Sequence, residues 1–203
     1  MRRALPVVVV MLGLVGAGLV VSDHLPKLHE AVTEIEYPLR HEDIIRKQAQ
    51  EKGVDPALIA AVIYAESRFV EGRTSSAGAL GLMQITPDTA ADIARRSGGT
   101  RFTIADLASP DLNIAYGTYH LRYLLDRYGG ETLPAVAAYN AGPGHVDRWI
   151  AESAANGREL DLDAIKFPET RAYTEKVLRA QREYEKRYGP ELGLSPLQSN
   201  DGP

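Results

Sequence analysis

From Pro38 to Tyr188, apolar positions recur at three- and four-residue spacing, broken by residues that start or stop helices. Ile44 to Lys52 is amphipathic and ends at Gly53. Asp55-Pro56 sets a capping side chain before a proline at the first helical position, which predicts a helix through Ser67. Thr86-Pro87 repeats the signal and predicts a helix to Arg96, closed by Gly98-Gly99. Asp111 reads as the cap of a long helix to Tyr128, closed by another glycine pair. Thr132 opens a helix through an alanine-rich stretch to Tyr139, and further helices are expected over His145–Glu152 and Glu169–Tyr188. No stretch alternates apolar and polar positions with β-branched enrichment, so the expected fold is all-α or nearly so.

The two ends read differently. Arg2 and Arg3 precede an apolar run from Ala4 to Val21, with no charge until Asp23. Cleavable export signals carry a shorter apolar stretch, roughly 7–15 residues, and end in an Ala-x-Ala-like site. A membrane-spanning helix uses about 20. Residues 1–22 are therefore expected to be an uncleaved signal anchor in preference to a signal peptide, with Val20-Val21-Ser22 a weak cleavage candidate. The paired arginines would keep the N-terminus cytoplasmic and send the remainder across the membrane, into the cell envelope. Residues 23–37 read as a stalk, 38–188 as the folded domain, and 189–203 as a loose tail rich in Pro, Gly, Ser and Asn. No feature sets an oligomeric state.

Composition narrows the chemistry by exclusion. Lysine and arginine number 23 against 27 acids, a net charge of −4 that argues against nucleic acid as a partner. The absence of cysteine removes disulfides, thiol catalysis and cysteine-based zinc sites. The five histidines lack metal-ligand spacing, and no phosphate loop, dinucleotide fingerprint or nucleophile elbow occurs. No cofactor and no metal are expected.

Four stretches could carry chemistry. In the helix opened by Pro56, Ile59, Val62, Ile63 and Glu66 share a narrow arc at about 100° per residue. Glu66 thus lies on the buried side near the helix end, where desolvation should raise its pKa above about 4.3. A glutamic acid kept protonated near neutral pH can hand a proton to a poor leaving oxygen. A salt-bridged border residue fits the same position. Next, Ser75-Ser-Ala-Gly78-Ala-Leu-Gly81-Leu-Met83-Gln84 places two glycines before a capped helix. Those glycines permit positive φ or close backbone approach to a ligand, Gln84 could bind a sugar hydroxyl or acetamide, and Met83 could pack beneath a ring. A tight turn with a core methionine is the alternative. Third, a helix ends in Tyr139-Asn140 before Gly142-Pro143-Gly144. Tyr139 could orient a carboxyl or a sugar there, and Asn140 could cap the helix or bind an acetamide; a plain C-cap with a half-buried tyrosine is the other reading. Fourth, Glu169 opens the last helix, a position more often dipole-stabilising than catalytic.

Five motifs in order carry a resemblance to a known family: Glu66-Ser67-x-Phe69; Ser75-x-x-Gly78-Ala79-x-Gly81-Leu82-Met83-Gln84; Asn113-Ile114-x-x-Gly117; Ala138-Tyr139-Asn140-Ala141-Gly142-Pro143-Gly144; and Glu169-Thr170-x-x-Tyr173. Over roughly Glu42 to Tyr188 the chain resembles the catalytic domain of soluble lytic transglycosylases, in the lysozyme-like superfamily. The resemblance implies peptidoglycan glycan strands as substrate and Glu66 as the single acid/base. It implies substrate contacts for Gln84, Met83 and Tyr139, groove positions for Ser75 and Glu169, and loop support from Asn140. Arg73 departs from the alanine often found there, and Thr174 from a usual valine. The implied route is substrate-assisted, yielding 1,6-anhydromuramyl ends without water. A goose-type muramidase that uses water, and a catalytically silent wall-binding scaffold, are the competing readings.

Overall fold

Between Ala57 and Tyr64 every residue of the second helix is buried. A helix apolar around its whole circumference must be enclosed by others, and the fold follows from that requirement. The computed structural model describes residues 36–98 and 103–194, and the chain divides at Pro38. The unit from Leu39 onward contains, among its described residues, helices α1 (Glu42–Lys52), α2 (Pro56–Ser67), α3 (Pro87–Ser97), α4 (Pro110–Arg127), α5 (Thr132–Ala141), α6 (Pro143–Ala155) and α7 (Pro168–Tyr188). The long α7 lies along α2 in the most extensive helix pair, α5 packs on α4, α6 and α7, and α1 leans on α4 and α2. The all-α expectation holds. The only extended pairings among the described residues are isolated bridges joining Thr74, Leu80 and Ile85.

Local caps place most helix starts where the sequence put them. The Asp55 side chain accepts from Ala57 N–H at 2.9 Å, and Thr86 Oγ1 from Thr89 N–H at 3.2 Å. Asp111 is a correction: Ser109 occupies the cap position, Pro110 the first turn, and Asp111 lies one residue inside it. A short 3₁₀ helix, Ile104–Ala108, was not expected; Asp106 folds back to accept from Thr103 N–H at 2.8 Å. Gly189–Leu194, placed by the sequence in the tail, form a turn with Leu192 buried and the Glu191 carbonyl bonded by Arg46. The anchor and most of the stalk (residues 1–35) and residues 195–203 lie outside the described residues. No described helix is long and apolar enough to cross a membrane.

The loop between α2 and α3 is fastened to α4 by one side chain. Asn113, 1% exposed, accepts from Met83 N–H at 2.8 Å and donates to the carbonyls of Leu80 at 2.9 Å and Leu107 at 3.0 Å. Two glycines make the approach possible. A Cβ on Gly81, whose φ is +75°, would lie 2.1 Å from Asn113 Nδ2, and one on Gly117 would lie 2.7 Å from Met83 Cβ. Asn113→Ala strands three buried backbone groups and is expected to cost about 2–4 kcal/mol. Gly117→Ala would gain roughly 1 kcal/mol in an open helix, yet should destabilise here because Met83 has no room to move. Thermal unfolding followed by far-UV circular dichroism checks both. A midpoint for either variant at or above wild type contradicts the packing described.

Candidate active site

Glu66 occupies the last turn of α2, where the enclosed helix becomes partly accessible. Its carboxyl is only partly accessible, and Tyr173 of α7 donates a hydrogen bond to Oε1 at 2.7 Å. Burial pushes its pKa up from 4.5 to about 7; the Tyr173 bond, Lys176 and Arg73 oppose the shift but do not cancel it. The helix C-terminus adds no positive potential to help the carboxylate. Desolvation wins, so the group is poised to exchange a proton near neutrality.

Two phenols line the same place. Tyr139, in the last turns of α5, donates to the Met83 carbonyl at 3.0 Å and so ties that helix to the loop. Burial first, and the Glu66 charge second, hold the pKa of both Tyr139 and Tyr173 well above 10, so each remains a neutral donor. Behind Tyr139, the His120 ring lies 5.4 Å away, its pKa pushed down to about 4 by burial and by nearby Arg96. Arg96 stacks over Tyr123 at 3.8 Å, so that tyrosine serves packing.

The other expected site residues divide into two groups. Gln84, with a left-handed φ of 47°, donates Nε2 to the carbonyls of Arg73 at 3.1 Å and Gly81 at 2.9 Å. It closes the loop with its amide nitrogen, and its carbonyl oxygen takes no part in those bonds. Ser75 is knit into the same loop, its Oγ accepting from Ala79 N–H at 3.0 Å. Asn140 accepts from Thr170 Oγ1 at 2.7 Å, joining the end of α5 to the first turn of α7. Glu169 is exposed in that turn, four residues before Tyr173 and therefore on the helix face that meets Glu66. Met83 departs from its expected role beneath a sugar ring. Its side chain is fully buried against Gly117, and it contributes backbone groups instead.

Sequence reasoning left Tyr173 and Lys176 out of the site. Tyr173 closes the last motif, four residues after Glu169, and that spacing was its only signal. As for acids that could act as a second carboxylate, Glu71 pairs with His41 at 3.0 Å, while Asp88 and Asp111 are exposed in first turns of helices. Among the described residues, only cations act on Glu66 by charge.

The transglycosylase SLT domain family model matches residues 43–162. The soluble lytic murein transglycosylase of Salmonella typhimurium is 33% identical over 168 residues, spanning 79% of this chain and 25% of that protein. The crystal structure of the 70 kDa soluble lytic transglycosylase of Escherichia coli superposes with a TM-score of 0.72 at 30% identity, over 81% of this chain and 27% of that one. An inactive glutamate-to-glutamine mutant of a Pseudomonas aeruginosa lytic transglycosylase superposes with a TM-score of 0.70 at 32% identity, over 75% and 25% of the respective chains. The chain spans about a quarter of the length of these relatives. A third of the residues are shared across most of this chain, on the same helical frame, and by that measure it belongs to the transglycosylase SLT domain family.

Proposed function

We propose that the chain is a peptidoglycan lytic transglycosylase, acting in the cell envelope on the β-1,4 bond between N-acetylmuramic acid and N-acetylglucosamine. One observation carries the reading: a half-buried carboxyl has its pKa raised to about 7, and among the described residues no other carboxylate acts on it by charge. Relatives named lytic murein transglycosylases support the substrate class, and the inactive glutamate-to-glutamine relative supports Glu66 as the acid.

Glu66 acts twice. Tyr173 occupies Oε1, which leaves Oε2 to carry the proton. That proton passes to the glycosidic oxygen as its bond to the muramyl C1 breaks, and the muramyl acetamide oxygen bonds to C1 in its place. The ionised Glu66 then takes the proton of the C6 hydroxyl. O6 attacks C1, the acetamide is released, and a 1,6-anhydro ring closes. Glu66 ends protonated again, and no water is consumed. The attacking hydroxyl belongs to the bound sugar, so its effective concentration can exceed that of any diffusing reagent, with values on the order of 10⁵ M in favourable cases.

Three results are expected. Glu66→Gln should lower wall-clearing activity by at least roughly 10²–10⁴-fold, the usual contribution of general acid–base catalysis. Burial makes the native carboxylate costly, so Glu66 removes stability as pH rises from 4.5 through about 7, while buried His120 adds stability from about 4 to 6.5. Glu66→Gln lacks the first contribution, and its stability relative to wild type should rise across that window. Activity within tenfold of wild type would move the role elsewhere.

Tyr173→Phe deletes a bond that favours the ionised carboxylate, so the pKa of Glu66 rises further. The alkaline limb of kcat/KM should lie near pH 7 in the wild type and move to higher pH in the variant. A limb that stays put or moves down contradicts the assignment.

Muropeptides released from whole peptidoglycan should be one water lighter than hydrolysis products and should resist borohydride. Mass spectra dominated by reducible muramic acid would identify a muramidase instead.

A further inference from the structure

Three cations converge at the mouth of the Glu66 site. Arg68 ends α2 in the left-handed region at φ 54°, and Phe69 follows in the same region at φ 60°. Two such non-glycine residues in succession are uncommon. Here they turn the chain so that Phe69 enters the core against Tyr184 while Arg68 remains exposed, its guanidinium 5.5 Å from the Tyr64 ring. Lys176 reaches the same ring from α7 at 5.1 Å, its ammonium anchored on the Ala65 carbonyl at 2.9 Å. Arg73 stands on the facing loop, where Gln84 and Gly81 both bond its carbonyl and fix its backbone. Its exposed side chain acts by charge on Glu66 and on Lys176.

Among the described residues, none of the three forms a salt bridge with a carboxylate. Glu71, which stands between Arg68 and Arg73 in the chain, faces His41, its Oε1 3.0 Å from the His41 Nε2. Arg73 and Lys176 act by charge on Glu66, and Arg68 acts on Lys176; the one negative charge acting on Lys176 is Glu66, and that group is largely protonated below pH 7. At the pH where the acid is ready to act, three fixed positive charges have no counter-charge. Such a concentration of like charge at a groove attracts an anion from solution. Arginine forks also match the geometry of a carboxylate in a way water does not.

We propose that Arg68, Arg73 and Lys176 form a carboxylate-recognition subsite at the mouth of the Glu66 groove, reading the acid that a muramyl residue carries beside the bond to be cut. The assignment rests on the lytic transglycosylase reading of the same site. Lys176, held on a carbonyl, supplies fixed field, and the two arginines supply the directional bonds. The carboxylate has two sources, the lactyl group of a bare muramyl residue or the free acids of its peptide stem. Either anion would offset the cations that favour ionised Glu66, so an acidic substrate brings its own acid catalyst into the protonated form.

Binding to the chain carrying Glu66→Gln, which holds ligands without cutting them, tests the subsite. The ligands are glycan strands with peptide stems, the same strands stripped to the lactyl carboxylate, and chito-oligosaccharides of equal length with no carboxylate. Adding Arg68→Gln and Arg73→Gln should weaken binding of an acidic strand by roughly tenfold and flatten its salt dependence, while leaving the neutral oligosaccharide unaffected. Loss confined to peptide-bearing strands assigns the stem carboxylates, and loss on stripped strands as well assigns the lactyl group. Unchanged binding of both acidic strands, equal loss on the neutral chain, or no binding of acidic strands before the arginines are changed would overturn the proposal. Wild-type turnover is measured separately, and its absence on every substrate would strike the catalytic reading alone.

Discussion

From Ala57 to Ile63, α2 offers water no polar side chain, and the helices around it leave no gap through which water could reach it. That enclosure makes Glu66 an acid. Its position in the final turn keeps one side of the carboxyl reachable, while the buried turns behind it withdraw the solvent that would stabilise a charge. The opposing influences of Tyr173, Lys176 and Arg73 are real but smaller, and the group settles near 7. A carboxyl further inside α2 would be too inaccessible to meet a substrate. One placed beyond Ser67 would ionise like any surface glutamate.

The remaining site residues act mainly by fixing the loop that faces this carboxyl. Tyr139 and Asn113 grip Met83 by its carbonyl and its N–H, and Gln84 closes the loop on itself through two further carbonyls. The same backbone segment is thus held from α4, from α5 and from within. A wall built from a loop gains rigidity in this way without a sheet behind it, and preorganised walls are what the proposed substrate-assisted reaction requires.

Helix boundaries were legible because their signals are local. Asp55-Pro56 and Thr86-Pro87 carry cap and first turn within a few residues, and the structure places both helices there. Ser109-Pro110 has the same form, but Asp111, two positions on and of equal capping preference, competes with it on sequence alone. The raised pKa of Glu66 was legible for a reason only half right. Its arc of apolar neighbours suggested an amphipathic helix, whereas α2 is buried on nearly all sides. Tyr173 could not be found the same way. Its bond to Glu66 spans 107 positions, and only the packing of α7 along α2 brings the two together. Met83 was misjudged because a methionine beside a presumed groove fits a sugar platform and a core filler equally. Gly117, far along the chain in α4, decided for the core.

The charge distribution is the last feature that only the fold reveals. The chain carries a net charge of −4, which by itself would repel an anionic polymer. Several acids elsewhere are engaged with basic partners: Asp92 with Arg95 and Arg96, Asp147 with Arg127, Asp161 with Arg158, Glu152 with Lys166. Arg68, Arg73 and Lys176 are not engaged in this way, and they gather where Glu66 opens to solvent. Fields of this size fade over about 8–10 Å at physiological salt, so a distant surface charge matters less to a bound strand than cations in direct contact with it. On the proposed reading, an acidic protein can therefore hold an acidic polymer at one place, beside Glu66.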